Sequence, residues 1–125
     1  MRAPTRLEQL RSEAERRAEA VFADPEFQGG LATLTTSDEE TSRRFAADAV
    51  TLAVLATQVP RCPGDESGAG PWTSFLLEVA VARRCSDTYA THAVVLATTL
   101  VAHFPRTLAL LATGAMPVYH ARTLV

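Results

Sequence analysis

Between Ser86 and Pro105 the sequence has a serine, then a run of small apolar residues at helical spacing, and then a proline. Ser86 can start a helix because its hydroxyl accepts a hydrogen bond from a backbone N–H one turn on. The apolar positions that then recur on one side are Ala90, Ala93, Val94 and Ala97. Since the residue before a proline is pushed out of the helical region, this helix should end near His103. A preceding helix is predicted to end near Arg84, with a tight turn at Cys85.

The order of helix, tight turn and helix is one that many proteins use to present a recognition helix to DNA. The first turns of the second helix carry the groups that would meet bases or sugars, namely Thr88, Tyr89, Thr91 and His92. Arg83, Arg84 and Arg106 lie outside that helix, at positions from which guanidinium groups would hold phosphates. The sequence therefore predicts double-stranded DNA as the partner of a helix-turn-helix unit. If the same helix packs on a protein, these residues become interface contacts instead.

Several short motifs in the second half also occur in a familiar order. They are Glu78-Val79-Ala80, Ser86 eight positions after Glu78, Phe104-Pro105, Gly114, and His120-Ala121-Arg122. In this order the stretch 72–125 resembles the helix-turn-helix core of ParB-type partition proteins. It resembles still more the domain of unknown function that precedes HNH endonuclease modules in high-GC bacteria, the thirteen-E-twelve repeat family. The resemblance implies a bacterial DNA-binding module whose last helix, near Pro117, is truncated at the C-terminus.

Three positions depart from the pattern that the resemblance implies. Thr91 and His92 stand where arginine is expected, which favours weak affinity for DNA. Cys85 occupies a turn position that glycine often fills, so we expect a turn without positive φ.

The chain carries no set of residues that predicts catalysis or a bound cofactor. HNH nuclease chemistry needs a histidine base, metal-ligating His or Asp residues and usually an asparagine. The sequence has no asparagine, and its histidines are spread over predicted helices at positions 92, 103 and 120. It also lacks a glycine-flanked nucleophilic serine and a glycine-rich phosphate loop. We therefore expect no enzyme activity, no metal site and no cofactor.

Apolar residues also recur every three or four positions between Leu7 and Phe22, with Arg and Glu between them. This pattern predicts an amphipathic helix over residues 5–22 whose charged side faces solvent. A dimerising coiled coil is the alternative, although it needs three or more heptads and this helix has barely two. Asp24-Pro25 should stop the helix, and Gln28-Gly29-Gly30 should extend the break.

A further helix is predicted from Ser37 to about Gln58. Ser37 and Glu40 have the spacing of a capping box, in which each side chain satisfies a backbone N–H of the first turn. The predicted inner face of this helix consists of Phe45, Ala49, Leu52, Leu55, Ala56 and Val59. Together with the helix over residues 5–22 it would form an N-terminal helical hairpin within residues 1–58.

Residues 59–71 contain three prolines and three glycines, which is typical of a surface loop. The loop should join the hairpin to the helix-turn-helix-like unit, residues 72–125, with Trp72 anchoring its first helix against the core. A chain of 125 residues fits one domain. We therefore expect a single all-α domain of five to six helices.

The net charge of −2 is divided unevenly between the two halves. Residues 1–70 carry eight Arg against twelve acidic residues, a net of −4, whereas residues 71–125 carry four Arg against two acidic residues, a net of +2. This asymmetry favours an anion-facing surface in the second half, although the overall acidity argues against a general polyanion binder. Four phosphate contacts would make DNA affinity fall only about a hundredfold between roughly 50 and 200 mM salt. Useful affinity would therefore need either a homodimer or the further C-terminal domain that the family resemblance implies.

The remaining features predict where the protein works. No apolar stretch near the N-terminus fits a secretory signal, and the longest apolar segment, 93–102, is about half of the ~20 residues that a membrane span needs. Cys62 and Cys85 have no metal-site spacing and fit a reducing compartment. We expect a cytoplasmic, non-catalytic DNA-binding module without membrane attachment. The alternative is a helical protein-interaction or oligomerisation domain, or a truncated remnant, that does not bind DNA.

Overall fold

The computed structural model describes residues 2–61 and 70–124, which form six helices and no strand. The helices are α1 (Arg6–Ala23), α2 (Pro25–Gln58), α3 (Pro71–Arg83), α4 (Asp87–His103), α5 (Pro105–Ala112) and α6 (Val118–Leu124). The predicted all-α class of five to six helices is confirmed. Of the predicted loop 59–71, residues 59–61 and Gly70 are non-helical, whereas residues 62–69, with Cys62, lie outside the described residues.

The chain divides into two compact units, Met1–Ser37 and Asp38–Val125. The boundary between them lies inside α2 and not in the predicted loop. The predicted hairpin combines residues 5–22 of the first unit with residues 37–58, nearly all of which belong to the second unit. The hairpin and the single domain therefore stay predictions.

In the first unit, α1 begins at a capping box. The hydroxyl of Thr5 accepts a hydrogen bond from the backbone N–H of Glu8 at 3.1 Å, and the Glu8 carboxylate accepts one from the Thr5 N–H at 2.8 Å. These bonds satisfy donors that a helix start leaves unpaired. The helix ends at Ala23, before Asp24-Pro25, as predicted. No described residue of this unit is buried, and only Ala18 is half-buried.

The second helix, α2, begins at Pro25 and not at Ser37. The predicted break at Gln28-Gly29-Gly30 and the predicted capping box at Ser37 are therefore wrong. Asp24 caps α2 instead, because its Oδ1 accepts a hydrogen bond from the Glu26 N–H at 2.8 Å. Pro25 suits the first helical position, where a backbone N–H is not needed.

Helix α2 continues through Gly29 and Gly30 because a helix that has already started adds residues at small cost. Each glycine weakens it by roughly 1 kcal/mol relative to alanine, which is a penalty and not a stop. The hydroxyl of Thr33 donates to the carbonyl of Gly29 at 3.0 Å, and that of Thr35 donates to the carbonyl of Leu31 at 3.1 Å. This first part of α2 is thus helical in spite of weak helix formers.

The core of the second unit is built around α4. Its side chains Ala90, Val94 and Leu100 are fully buried. One cluster joins α4 to α2 and α3 through Ala49, Leu52, Val79, Ala80, Ala90, Val94 and Ala97. Another joins it to α2, α5 and α6 through Ala46, Leu100, Leu111 and Ala121. Six of these eleven residues are alanines, and such small side chains allow helices to pack at short distances.

The buried side of α2 differs in part from the predicted inner face. Ala49 and Leu52 are buried as predicted, but Leu55 is 41% exposed, so its predicted inward position is wrong. Ala46 and Ala53 are buried instead. At 100° per residue Leu55 lies more than a right angle from the centre of that buried stripe. Alanines, and not the larger leucine, therefore face the core.

Trp72 and Gly114 have the structural roles that the sequence predicts. The half-buried Trp72 packs against the first core cluster, with its ring centroid 5.3 Å from that of Phe75. Gly114 ends α5 in the left-handed region, with a φ of 80°. A Cβ added there would lie 3.0 Å from the Cβ of Glu39. Glycine is thus required at this turn both by the backbone and by the close approach of α2.

Replacement of Gly30 tests whether α2 is continuous. Proline inside a helix removes a hydrogen bond and clashes with the preceding turn, at a cost of about 3 kcal/mol. Gly30→Pro should therefore reduce the helical signal in far-UV circular dichroism. Gly30→Ala, whose added Cβ meets nothing within 4 Å, should increase it. Equal ellipticity of both variants and the natural chain would indicate a loop at residues 28–30.

Candidate functional site

The turn between α3 and α4 is closed by two backbone hydrogen bonds. The N–H of Arg84 donates to the Val81 carbonyl at 3.2 Å, and the N–H of Cys85 donates to the Ala80 carbonyl at 3.0 Å. These are the bonds of a Schellman motif, which reverses the chain through one left-handed residue. That residue is Arg84, with a φ of 54° and a ψ of 48°. The predicted turn without positive φ is therefore wrong.

Helix α4 then begins at Asp87, and Ser86 caps it as predicted. The Oγ of Ser86 accepts a hydrogen bond from the Tyr89 N–H at 3.0 Å. The Asp87 carboxylate lies in the first turn, where the helix dipole favours a negative charge. No arginine occurs in α4. The accessible start of α4 therefore carries an acidic group, and the arginines expected to hold phosphates lie outside this helix.

The four residues predicted to read bases differ in accessibility. Thr88, Tyr89 and His92 are exposed, whereas Thr91 is half-buried. The hydroxyl of Thr91 donates to the Asp87 carbonyl at 2.8 Å, so this donor is already used within the helix. Three of the four side chains are thus accessible to a partner.

The structure brings Arg83, Tyr89 and His92 together in one groove of the second unit. Thr88, Arg84 and Arg106 are exposed but do not line it. The groove lies between α2 and α4 and has a volume of about 560 Å³. Its apolar lining residues include Ala49, Leu52, Ala93, Leu96 and Ala97, which we call the floor of the groove.

Two arginines border this groove and make different contacts. Arg83 Nη2 lies 3.3 Å from Asp48 Oδ2, and both side chains are about 40% exposed. Such an accessible ion pair contributes about 0–1 kcal/mol to stability. Arg122 Nη2 donates to the Tyr89 hydroxyl at 3.4 Å, and its Cζ lies 5.8 Å from the centre of the Phe45 ring. The Arg83 charge is compensated by a carboxylate, whereas Arg122 contacts neutral groups.

Sequence reasoning did not place Phe45, Asp48 and Arg122 at a common site. Asp48 gives a weak signal, because it is a charged residue next to the buried position Ala49 on the inner side of α2. Its partner Arg83 is 35 residues away in the sequence, so no local spacing relates the two. The groove follows from how four helices, α2, α3, α4 and α6, pack together.

The described residues also bear on metal binding and on membrane spans. In residues 2–61 and 70–124, no group of three or more His, Cys, Asp or Glu side chains could hold a metal ion. In the same ranges no single helix is long and apolar enough to cross a membrane. Helices α4 and α5 meet that length and composition only as a pair, and the chain bends by 109° between them.

Comparison with known proteins identifies no relative. No family model, curated protein or solved structure matches the chain. The resemblance to the thirteen-E-twelve repeat family, and the helix-turn-helix interpretation of α3 and α4, therefore stay predictions.

The left-handed conformation of Arg84 leads to a prediction about stability. An L-residue in this region is disfavoured by roughly 1–2 kcal/mol, whereas glycine is not. Replacing Arg84 by glycine removes this penalty, but part of the gain in stability is offset by the greater freedom of glycine in the unfolded chain. Arg84→Gly should therefore raise the free energy of unfolding by about 0.5–1 kcal/mol, measured by urea denaturation.

Arg84→Ala is the matched control, because it removes the same charge but keeps a Cβ in the left-handed region. It should leave the free energy of unfolding unchanged or slightly lower it. Equal stabilisation by alanine and glycine would mean that charge, and not backbone conformation, is responsible.

Proposed function

We propose that this chain is a non-catalytic helical module that associates with a second copy of itself through residues 7–34. One observation carries the proposal. Seven large apolar side chains of the first unit are 37–76% exposed, and no described residue of that unit is buried. They are Leu7, Leu10, Val21, Phe22, Phe27, Leu31 and Leu34. Apolar surface of this extent is typical of interaction sites.

The spacing of these side chains supports association over a continuous surface. Phe27, Leu31 and Leu34 stand at i, i+4 and i+7, so they share one side of α2. The rings of Phe22 and Phe27, whose centroids are 5.4 Å apart, join this stripe to the apolar side of α1. A partner helix would therefore meet one connected apolar face.

The charges around this face favour a second copy over a strongly charged partner. Helix α1 carries four arginines and four glutamates, which balance. Counted over residues 2–37, five arginines and six acidic residues give a net charge of only −1. Two copies can therefore meet with little net repulsion, and Arg and Glu side chains at the edges can pair across the contact. A strongly acidic or basic partner would gain nothing from such a surface.

The expected affinity follows from the burial that a dimer would allow. Full burial of a large aliphatic or aromatic side chain is worth roughly 1.5–3 kcal/mol. Because these side chains are about half exposed, each copy would contribute on the order of 5–10 kcal/mol, and the two copies together roughly 10–20 kcal/mol. Association itself costs roughly 4–15 kcal/mol. The difference is consistent with a dissociation constant on the order of micromolar.

Sedimentation equilibrium of the full chain tests this proposal. The natural chain should form a dimer, whereas Leu31→Glu with Leu34→Glu should raise the dissociation constant at least about tenfold, since the carboxylates would be desolvated in the contact. Val81→Glu is the control, because Val81 is also exposed, at 77%, but lies on α3 in the second unit. This variant should dimerise like the natural chain.

Two outcomes would contradict the proposal. One is a natural chain that stays monomeric at about 100 µM, far above the expected dissociation constant. The other is an equal effect of the Val81 variant, which would place the contact outside residues 7–34.

A second candidate function is DNA binding through α3, its following turn and α4, as the family resemblance implies. The observation in its favour is that Arg84, Thr88 and His92 are exposed within nine consecutive residues. Against it, Asp87 places a negative charge among them, and Arg83 is paired with Asp48. These features favour weak binding, so this function ranks second.

Fluorescence anisotropy of labelled duplex DNA tests the second candidate. Arg83→Ala with Arg84→Ala should weaken binding to all sequences and reduce the salt slope by about 0.9 per lost phosphate contact. Asp48→Asn should strengthen binding, because it releases Arg83 from its ion pair. Unchanged affinity in both variants would remove these arginines from any DNA-binding role.

A further inference from the structure

We propose that the groove between α2 and α4 binds a small aromatic carboxylate. The groove is formed entirely by residues of the second unit, so the proposal is independent of self-association through residues 7–34. It combines an apolar floor with an arginine and a phenol that contact each other, Arg122 and Tyr89. These are the two elements that recognise an apolar body and an anionic head.

The floor of the groove suits an apolar ring system. Ala49 and Ala97 are small, which leaves room above them, while Leu52 and Leu96 supply apolar contact. The volume of about 560 Å³ lies within the range of roughly 300–1,000 Å³ that clefts for small molecules occupy.

The anionic head would meet Arg122 and Tyr89. Among the described residues Arg122 forms no ion pair, and its contacts are the Tyr89 hydroxyl and the face of Phe45. Since the Tyr89 oxygen accepts the bond from Arg122, the phenolic O–H remains available to donate to a ligand oxygen. A carboxylate can therefore receive bonds from a guanidinium and a phenol together.

The other charges of the groove are compatible with a ligand of charge −1. Arg83 and Asp48 neutralise each other through their 3.3 Å ion pair. With Arg122 counted, the charged side chains Asp48, Arg83 and Arg122 that line the groove sum to +1. One carboxylate thus balances the site, whereas a cation would face Arg122 without a free carboxylate among the lining residues.

Titration of the full chain with 1-naphthoate, and with the uncharged 1-naphthamide as its isosteric control, tests the proposal. Amide chemical shifts in ¹H–¹⁵N spectra report where each compound binds. Naphthoate should shift Ala49, Ala93 and Leu96 and should bind roughly fivefold more tightly than naphthamide. This preference for naphthoate over naphthamide is smaller than a buried charge-assisted hydrogen bond would give, because the head group is open to water.

Three variants separate the contributions of head and body. Arg122→Met keeps the aliphatic stem but removes the charge, so naphthoate affinity should fall roughly fivefold to that of naphthamide, whose own affinity should not change. Tyr89→Phe keeps the ring at an exposed position and should lower naphthoate affinity about threefold. Arg44→Met, which removes an exposed arginine of α2 that does not line the groove, should change neither affinity.

The proposal is overturned if naphthoate and naphthamide bind equally, or if the shifted amides lie outside the groove. It is also overturned if Arg122→Met and Tyr89→Phe, shown to be folded by their spectra, retain the natural affinity for naphthoate. None of these outcomes bears on dimerisation, which is measured separately by sedimentation.

Discussion

The second unit depends on the burial of one side of α4. Ala90, Val94 and Leu100 are removed from water completely, and the two core clusters that contain them reach α2, α3, α5 and α6. Because alanine predominates in these contacts, a larger side chain would force the helices apart, which costs typically 1–3 kcal/mol. The ends of α4 are equally defined, by the Ser86 cap and by the break before Pro105. Packing around α4 also creates the groove, since α4 and α2 together supply its apolar lining residues.

The first unit has the opposite character. It is helical but contains no buried residue among those described, and helices without tertiary packing are marginal in water even when well capped. The glycine pair at positions 29 and 30 and the threonines that follow weaken the start of α2 further. Its exposed apolar side chains, from Leu7 to Leu34, therefore call for a partner that covers them. We propose that self-association supplies this cover.

Local signals made much of this fold predictable, and nonlocal packing explains the rest. The Ser86 cap, the stop at Asp24-Pro25 and the glycine at position 114 were predictable because each depends on one or two neighbouring residues. The start of α2 was mispredicted because Ser37 and Glu40 have the pattern of a cap although the helix has already begun at Pro25. Extension of an existing helix outweighs the local capping signal.

For the site, exposure of Thr88, Tyr89 and His92 agrees with the sequence-based expectation. The groove was not predictable, because Asp48, Arg83 and Arg122 line one groove only after α2, α3, α4 and α6 have packed. Whether α3 and α4 bind DNA stays a prediction.

The central claim is that residues 7–34 acquire a partner only when two copies of the chain meet. Amide hydrogen exchange of the full chain, followed by mass spectrometry at protein concentrations below and above the dimer dissociation constant, tests it most directly. Protection of α1 and of the first three turns of α2 should rise with concentration, while protection of α4 should be high and constant. If the first unit is as protected as α4 at both concentrations, or equally unprotected at both, its apolar face is not covered by a second copy and the account is wrong.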